Sequence, residues 1–433
     1  MAVVGGGLAG LAAAARLAKM GHRVRLHEAS ATLGGTWAPY VLGGTDVVVD
    51  DAPGVLGFPA PWRDLFRKSG RPLEAELARA DLGLVPAPGA EHRFADGSAL
   101  VLPSDRGEQH AALDRTYGPA AAARWQHLLD SLGEVWQTLR PLGLEEAYEP
   151  AALTRDVVRR LRGRRTLADL ADGLGEPHLR ALVRSVAHRQ GTTPEQAPAL
   201  AAVDLLVGRT FGRWQVAPAA ASGVPSHDPV APGDVGRSSV LVDLLVARLA
   251  LRGVDVRTGS EVVGVEVTGG AVTGVRTATA VEPADAVVLA VDSWTAAGLL
   301  PDGAARGLRR ALRRATGARL PAAVHTVLPD DGGVPVDVHE LAHLDTDGVP
   351  VVETTRRLSG RAVRTVQDHR DTVERPGSGL VTKGFRGWRR RPGTATNLPG
   401  VALAGAASPA GASPSVVVQT GALAAYAVAG RRD

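Results

Sequence analysis

The sequence predicts an α/β chain, and three stretches carry that prediction. The first is the opening run Ala2-Val3-Val4, which passes directly into Gly5-x-Gly7-x-x-Gly10 and an Ala- and Leu-rich stretch over residues 8–20. The second is the apolar run at 286–292, a buried strand that returns the chain to the opening unit late in its course. The third is the C-terminal end: a short strand over 401–404 closing at Gly405, a small-residue loop, and an apolar helix over 416–428. Together they describe a Rossmann-like dinucleotide-binding domain assembled from residues 1–75, 230–292 and 393–433. A discontinuous α+β domain for the substrate, 76–229 and 293–392, fills the gaps.

The opening unit reads as strand, glycine loop, helix, strand. Gly5 permits the tight turn, Gly7 lets the backbone approach a pyrophosphate, and Gly10 lets helix and strand pack closely. Leu8 and Ala9 open the helix, so their amides face the phosphates at its positive end. Gly21 stands where a C-cap glycine belongs. The second strand, Arg23-Val24-Arg25-Leu26-His27, ends at Glu28, placed to accept hydrogen bonds from ribose hydroxyls. The motif alone does not separate one dinucleotide from another.

Composition narrows the chemistry. With 433 residues the chain can bury two or three sizeable cores. There is no cysteine, which excludes disulfides, thiolate-bound zinc, iron–sulfur clusters and a redox dithiol, so redox chemistry needs a bound cofactor. A net charge of +4 is small for this length and implies no nucleic-acid partner. The opening apolar run lacks a basic n-region, and the uncharged stretch 393–430 is broken by Pro399, Pro409 and Pro414. Neither a secretory signal nor a membrane span is expected, and the cytoplasm is the default location.

Glu28-Ala29-Ser30-Ala31-Thr32-Leu33-Gly34-Gly35 resembles the extended fingerprint of FAD-containing oxidoreductases. Asp50-Asp51-Ala52-Pro53 resembles the Asp-x-Gly-Pro turn of the phytoene-desaturase family, within the flavin-containing amine oxidase superfamily, with Ala52 in place of Gly. Phe211-Gly212-Arg213-Trp214 is similar to that family's Phe-Gly-x-Trp beside the substrate cavity. The resemblance implies non-covalent FAD, with Ala29, Thr36, Ala52 and Pro53 near it and backbone groups of Val262 and Val263 at the adenine. It implies that Gly405, Ala406 and the first-turn groups of Ser415, Val416 and Val417 meet the flavin edge, and that Phe211 and Trp214 meet the substrate. Thr36-Trp37 stands where the family often has a basic residue.

The remaining signals are weaker. Residues 114–139, 154–163 and 166–174 read as helices, and 240–252 as another. Arg155, Arg159 and Arg162 fall on one helical face, read as a solvated basic face or as peripheral contact with anionic lipid. Residues 46–50, 254–257, 261–267 and 272–276 read as strands, the last two joined by a Gly269-Gly270 turn. Residues 217–236 read as a loop rich in Pro, Gly, Ser and Ala. Arg309, Arg310, Arg313 and Arg314 read as the solvated face of a helix. His339-Glu340-Leu341-Ala342-His343 has the letters of a zinc-protease motif, but 334–338 reads as a strand and a turn follows, so the match is fortuitous and no metal is expected.

Function follows from the cofactor and the resemblance. The first reading is an FAD-dependent desaturase taking hydride from a C–H bond of an apolar, isoprenoid-like small molecule and leaving a double bond. A flavin amine oxidase is the alternative, and a flavin-binding protein without activity is the third. No catalytic acid or base is identifiable in the sequence.

Overall fold

The computed structural model describes residues 1–219, 233–329 and 335–430. Its first layer is a five-stranded, wholly parallel sheet in the order Asp255–Arg257, Arg25–His27, Ala2–Val4, Val287–Leu289, Val401–Leu403. These strands come from distant parts of the chain, and each is only three residues long. Val3, Leu26, Val287, Val288 and Leu289 are wholly buried, as strands covered on both faces must be. The fingerprint helix, Leu8–Lys19, buries its first ten residues. Its alanines allow close approach of the C-terminal helix, Pro414–Ala429. At that crossing a Cβ on Gly421 would stand 2.2 Å from the Ala9 carbonyl oxygen, so only glycine fits. Met20 caps the fingerprint helix, and Gly21 follows it at φ +90.

The second layer is a six-stranded mixed sheet in the order Val324–Val327, Arg361–Asp368, Pro350–Leu358, His339–Leu344, Ala90–Phe94, Ala99–Leu102. Helices Arg106–Tyr117, Pro119–Leu139, Pro177–Arg189 and Val203–Phe211 enclose a separate core around Trp125, Leu129 and Leu132. Residues 300–390, the least legible in sequence, supply four of this sheet's six strands.

Several elements differ from expectation. The single helix expected over 114–139 is two: Gly118 at φ +80 ends one, and Pro119 opens the next, where its missing N–H costs nothing. The strand expected over 46–50 contracts to Val48–Val49. The His-Glu-x-x-His string is itself the strand His339–Leu344, so Glu340 faces away from both histidines and pairs with Arg189 and Arg213. The helix Arg155–Arg160 stops before Arg162, which turns to φ +55 and donates to the Ser131 carbonyl and hydroxyl. The three arginines therefore share no single face. Arg159 and Arg160 both pair with Asp156. Of the loop expected over 217–236, Ala217 and Pro218 end the strand Arg213–Pro218, and 220–232 lie outside the described residues. The turn Gly269-Gly270 has φ +61 and +81, as a two-residue hairpin requires. Arg309, Arg310, Arg313 and Arg314 are exposed at the end of the helix Asp302–Leu312. Among the described residues no helix is long and apolar enough to cross a membrane.

Candidate cofactor and active site

Three fingerprint glycines meet three different constraints. Gly5 lies at φ +102, and a Cβ there would sit 2.5 Å from the Ala290 carbonyl oxygen. A Cβ on Gly10 would sit 1.8 Å from the Gly5 carbonyl oxygen, inside the strand–helix contact. At Gly7 a Cβ would meet nothing within 4 Å. It would project into the open crevice that Gly5, Gly7, Leu8 and Ala9 line. The first bond of the helix runs from the Leu11 amide to the Gly7 carbonyl at 2.9 Å. The amides of Leu8, Ala9 and Gly10 thus have no intrahelical acceptor.

Gly34 and Gly35 complete the cradle. They adopt φ +109 and +58, the Gly34 amide donates to the Gly6 carbonyl at 2.8 Å, and a Cβ on Gly35 would press on Gly7 Cα at 3.3 Å. With Thr36 they line the same crevice. Trp37 follows and stacks on Trp62 with ring centroids 5.6 Å apart. Glu28 also lines the crevice. Its Oε2 accepts from the Gly6 amide at 2.6 Å, and its Oε1 accepts from the Ser30 amide and hydroxyl, each at 2.8 Å. Oε1 thus has both lone pairs engaged, while Oε2 accepts one bond and has capacity left for a ribose hydroxyl.

At the other end, Gly405, Ala406, Pro414 and Val417 line the crevice. The Gly405 amide donates to Thr420 Oγ1 at 2.9 Å, and the Val417 amide donates to the Ser413 carbonyl at 2.9 Å. Ser415 and Val416 are buried, and the Ser415 hydroxyl donates to the Gly57 carbonyl at 3.0 Å. Ala29 is exposed beyond Glu28, while Ala52 is buried and Pro53 exposed. Beneath that turn, Asp50 accepts from the Ser239 amide at 3.0 Å and from Arg356 at 2.8 Å. Val262 packs into a core and Val263 faces solvent, by strand alternation, and neither side chain lines the crevice. Trp214 Nε1 donates to the Phe211 carbonyl at 2.7 Å across Gly212 at φ +76, and the Phe211 ring lies 4.7 Å from that of Phe58. This aromatic pair stands outside the lining.

The wall facing the cradle carried no motif. Strand Val373–Thr382 pairs with Ala315–Leu320, but its register jumps: Gly317 faces Leu380, while Ala318 faces Arg375. Residues 376–379 are left out of the ladder, and Pro376, Gly377 and Ser378 line the crevice. The Pro-Gly-Ser-Gly run inside a strand was the available signal. Arg189, Gln367, His369 and Arg375 bring polar groups to the crevice, while Leu320, Pro321, Ala323 and Val352 bring apolar ones. His369 Nδ1 lies 3.0 Å from the His188 carbonyl oxygen, which can only accept, so Nδ1 carries the proton and Nε2 is an acceptor. Burial, then the nearby Arg189 charge, lowers its pKa to about 4, and the ring is neutral at pH 7. The Tyr148 hydroxyl donates to the Arg389 carbonyl at 2.7 Å, and burial pushes its pKa up to about 12. Asp51 Oδ1 accepts from Tyr40 at 2.9 Å and faces His325 Nε2 at 3.1 Å; the histidine contact holds its carboxyl below the ordinary range.

The crevice has a volume of about 850 Å³, within the range of small-molecule and cofactor sites. Its glycine loops, free amides, acidic residue and open space at Gly7 fit a dinucleotide. Arrangement and sequence define a dinucleotide-binding site on a Rossmann-like domain. Residues 3–69 match the model of the NAD(P)-binding Rossmann-like domain family. In sequence the chain is similar to phytoene dehydrogenases and related desaturases. It is 30% identical over 318 residues to a hydroxyneurosporene desaturase of Cereibacter sphaeroides, covering 70% of this chain and 58% of that protein. It is 36% identical over 126 residues to a phytoene dehydrogenase of Streptomyces griseus, covering 29% of this chain and 24% of that protein. The chain thus spans less than two thirds of these relatives' lengths. Among solved structures, putrescine oxidase bound to putrescine superposes with a TM-score of 0.68 at 14% identity, covering 99% of this chain and 98% of that one. Cyclohexylamine oxidase from Brevibacterium oxydans gives 0.61 at 16%, covering 98% of each chain. At such identities these structures attest the fold alone.

Proposed function

We propose that the protein oxidises an apolar, isoprenoid-like small molecule, removing hydride from a C–H bond so that loss of a neighbouring proton leaves a double bond. When bound, FAD supplies the two-electron acceptor. The chain supplies position. Gly7 leaves room for the pyrophosphate, the Leu8 and Ala9 amides and Gly34-Gly35 would hold it, and Glu28 would accept from the ribose. Leu320, Pro321, Ala323 and Val352 offer a hydrocarbon an apolar surface beside the cradle. The observation that carries the reading is the continuity of this apolar wall with the open cradle at Gly7. Likeness to a hydroxyneurosporene desaturase supports the substrate class.

The amine-oxidase reading draws on the putrescine and cyclohexylamine oxidase folds. The crevice weighs against it, because Arg189 and Arg375 would repel a cationic amine. Anaerobic mixing of the holoprotein with acyclic isoprenoids and with amines, watching the flavin absorption, tests both. Bleaching by an isoprenoid and by no amine is expected. Bleaching by an amine alone overturns the desaturase reading.

A further inference from the structure

We propose that the far wall of the crevice receives a carboxylate-class anionic oxygen group at one end of the substrate, through Arg189 and Arg375. The inference rests on the oxidoreductase reading above and narrows its substrate to an amphipathic isoprenoid-like acid.

The argument starts from charge. Arg189 closes the helix Pro177–Arg189, and its Nη1 lies 3.0 Å from Glu340 Oε1. Glu340 Oε2 also takes Arg213 Nη2 at 2.8 Å. One carboxylate between two guanidiniums leaves one positive charge in excess, and Arg189 is the member that lines the crevice. Arg375 stands at the base of the displaced segment 376–379 and lines the crevice too. Its Nε is buried with no acceptor, and among the described residues its guanidinium forms no ion pair. The carboxylates lining the crevice have their hydrogen bonds elsewhere: Glu28 with Gly6 and Ser30, Asp51 with Tyr40 and His325, and Asp292 as the cap of the helix Ser293–Leu299; Asp51 feels the Arg375 charge only as the weakest of the effects that hold its carboxyl low.

The two arginines belong to one wall. The Arg319 amide donates to the Gly191 carbonyl at 2.9 Å, two residues past Arg189, and neighbouring Ala318 pairs with Arg375. His369 adds an unspent acceptor, Nε2, suited to a protonated acid or a hydroxyl. A guanidinium has five donors in a planar fork that matches a carboxylate, and Arg189 spends one of them on Glu340. The apolar residues of the same crevice would take the hydrocarbon part.

The test uses FAD-loaded protein titrated with geranylgeranoic acid, geranylgeraniol and geranylgeranylamine, with perturbation of the flavin spectrum as the readout. The acid should bind about tenfold or more tightly than the alcohol, and the amine weakest. R375Q and R189Q should each remove most of that preference, leaving the alcohol's affinity and the FAD content unchanged, while R375K should retain the preference. Equal binding of acid and alcohol overturns the proposal, as does a preference that survives in R189Q/R375Q. Loss of FAD from R375Q would assign that arginine to the cofactor and overturn it equally. The two readings fail separately. Arginine-dependent acid binding with no flavin reduction by any isoprenoid removes the desaturase reading alone. Reduction by the alcohol with no acid preference removes only the anion receptor.

Discussion

The fingerprint glycines make separable contributions, because a side chain at each would meet something different. Gly7→Val should leave the thermal stability of the FAD-free protein nearly unchanged, since a Cβ there meets nothing within 4 Å, yet abolish FAD retention by filling the cradle. Gly10→Ala should lower the stability of the FAD-free protein by about 1–3 kcal/mol, because its Cβ would overlap the Gly5 carbonyl oxygen. Scanning calorimetry of both, with the flavin content of each, checks the contrast. A destabilised Gly7→Val protein, or one that keeps its flavin, contradicts it. These glycines were legible in sequence because their spacing matches three demands at once: a positive φ at Gly5, an open cradle at Gly7 and a close strand–helix contact at Gly10. Glu28 was legible by its place after a strand, although its bonds to Gly6 and Ser30 were not. Arg189, His369 and Arg375 were illegible. None belongs to a motif, Arg189 lies far from the other two in sequence, and only the packing of its helix beside the strands Arg361–Asp368 and Val373–Thr382 brings the three to one wall.

Elements were legible where periodicity and caps were local, and illegible where a distant partner decides them. Gly118-Pro119 broke a helix that periodicity alone would continue. The turn after Val48–Val49 owes its shape to Arg356, some 300 residues on. That guanidinium donates to Asp50 Oδ1 at 2.8 Å and to the Asp50 carbonyl at 2.9 Å, with both residues almost wholly buried. Asp50 in turn accepts the Ser239 amide. One ion pair therefore joins the Asp-x-x-Pro turn, the start of the helix Val240–Leu251 and the six-stranded sheet. Arg356→Met should cost about 3–5 kcal/mol, since it strands a buried carboxylate. Asp50→Asn added to Arg356→Met should recover part of the loss. Urea unfolding of the single and double variants measures this, and a double variant no better than the single would show that the charge is not the cause.

At the scale of the molecule, crevice and fold are coupled, because the cradle draws on residues 5–9, 28–36 and 403–420, and the facing wall on 367–378. FAD present at a hundredfold excess over its Kd should raise the unfolding free energy by about 2.7 kcal/mol, and Gly7→Val protein should show no such gain. Acid acts through the facing wall. His369 has its pKa lowered to about 4, and His92, buried in the strand Ala90–Phe94 with Nδ1 unpartnered, to about 3, from an ordinary 6.5. Burial is the main cause in both. Below pH 6.5 the unfolded chain takes up protons that the folded chain refuses, so stability is full above that pH and declines as pH falls towards 4. Each histidine contributes a slope of up to about 1.4 kcal/mol per pH unit in that window. His369→Gln should flatten the decline between pH 6.5 and 4 by one histidine's share, and His92→Leu by another, whatever either does to stability at pH 7. Urea unfolding at pH 4.5, 5.5 and 7 measures the slopes. An unchanged slope in both variants would place the acid-sensitive groups elsewhere.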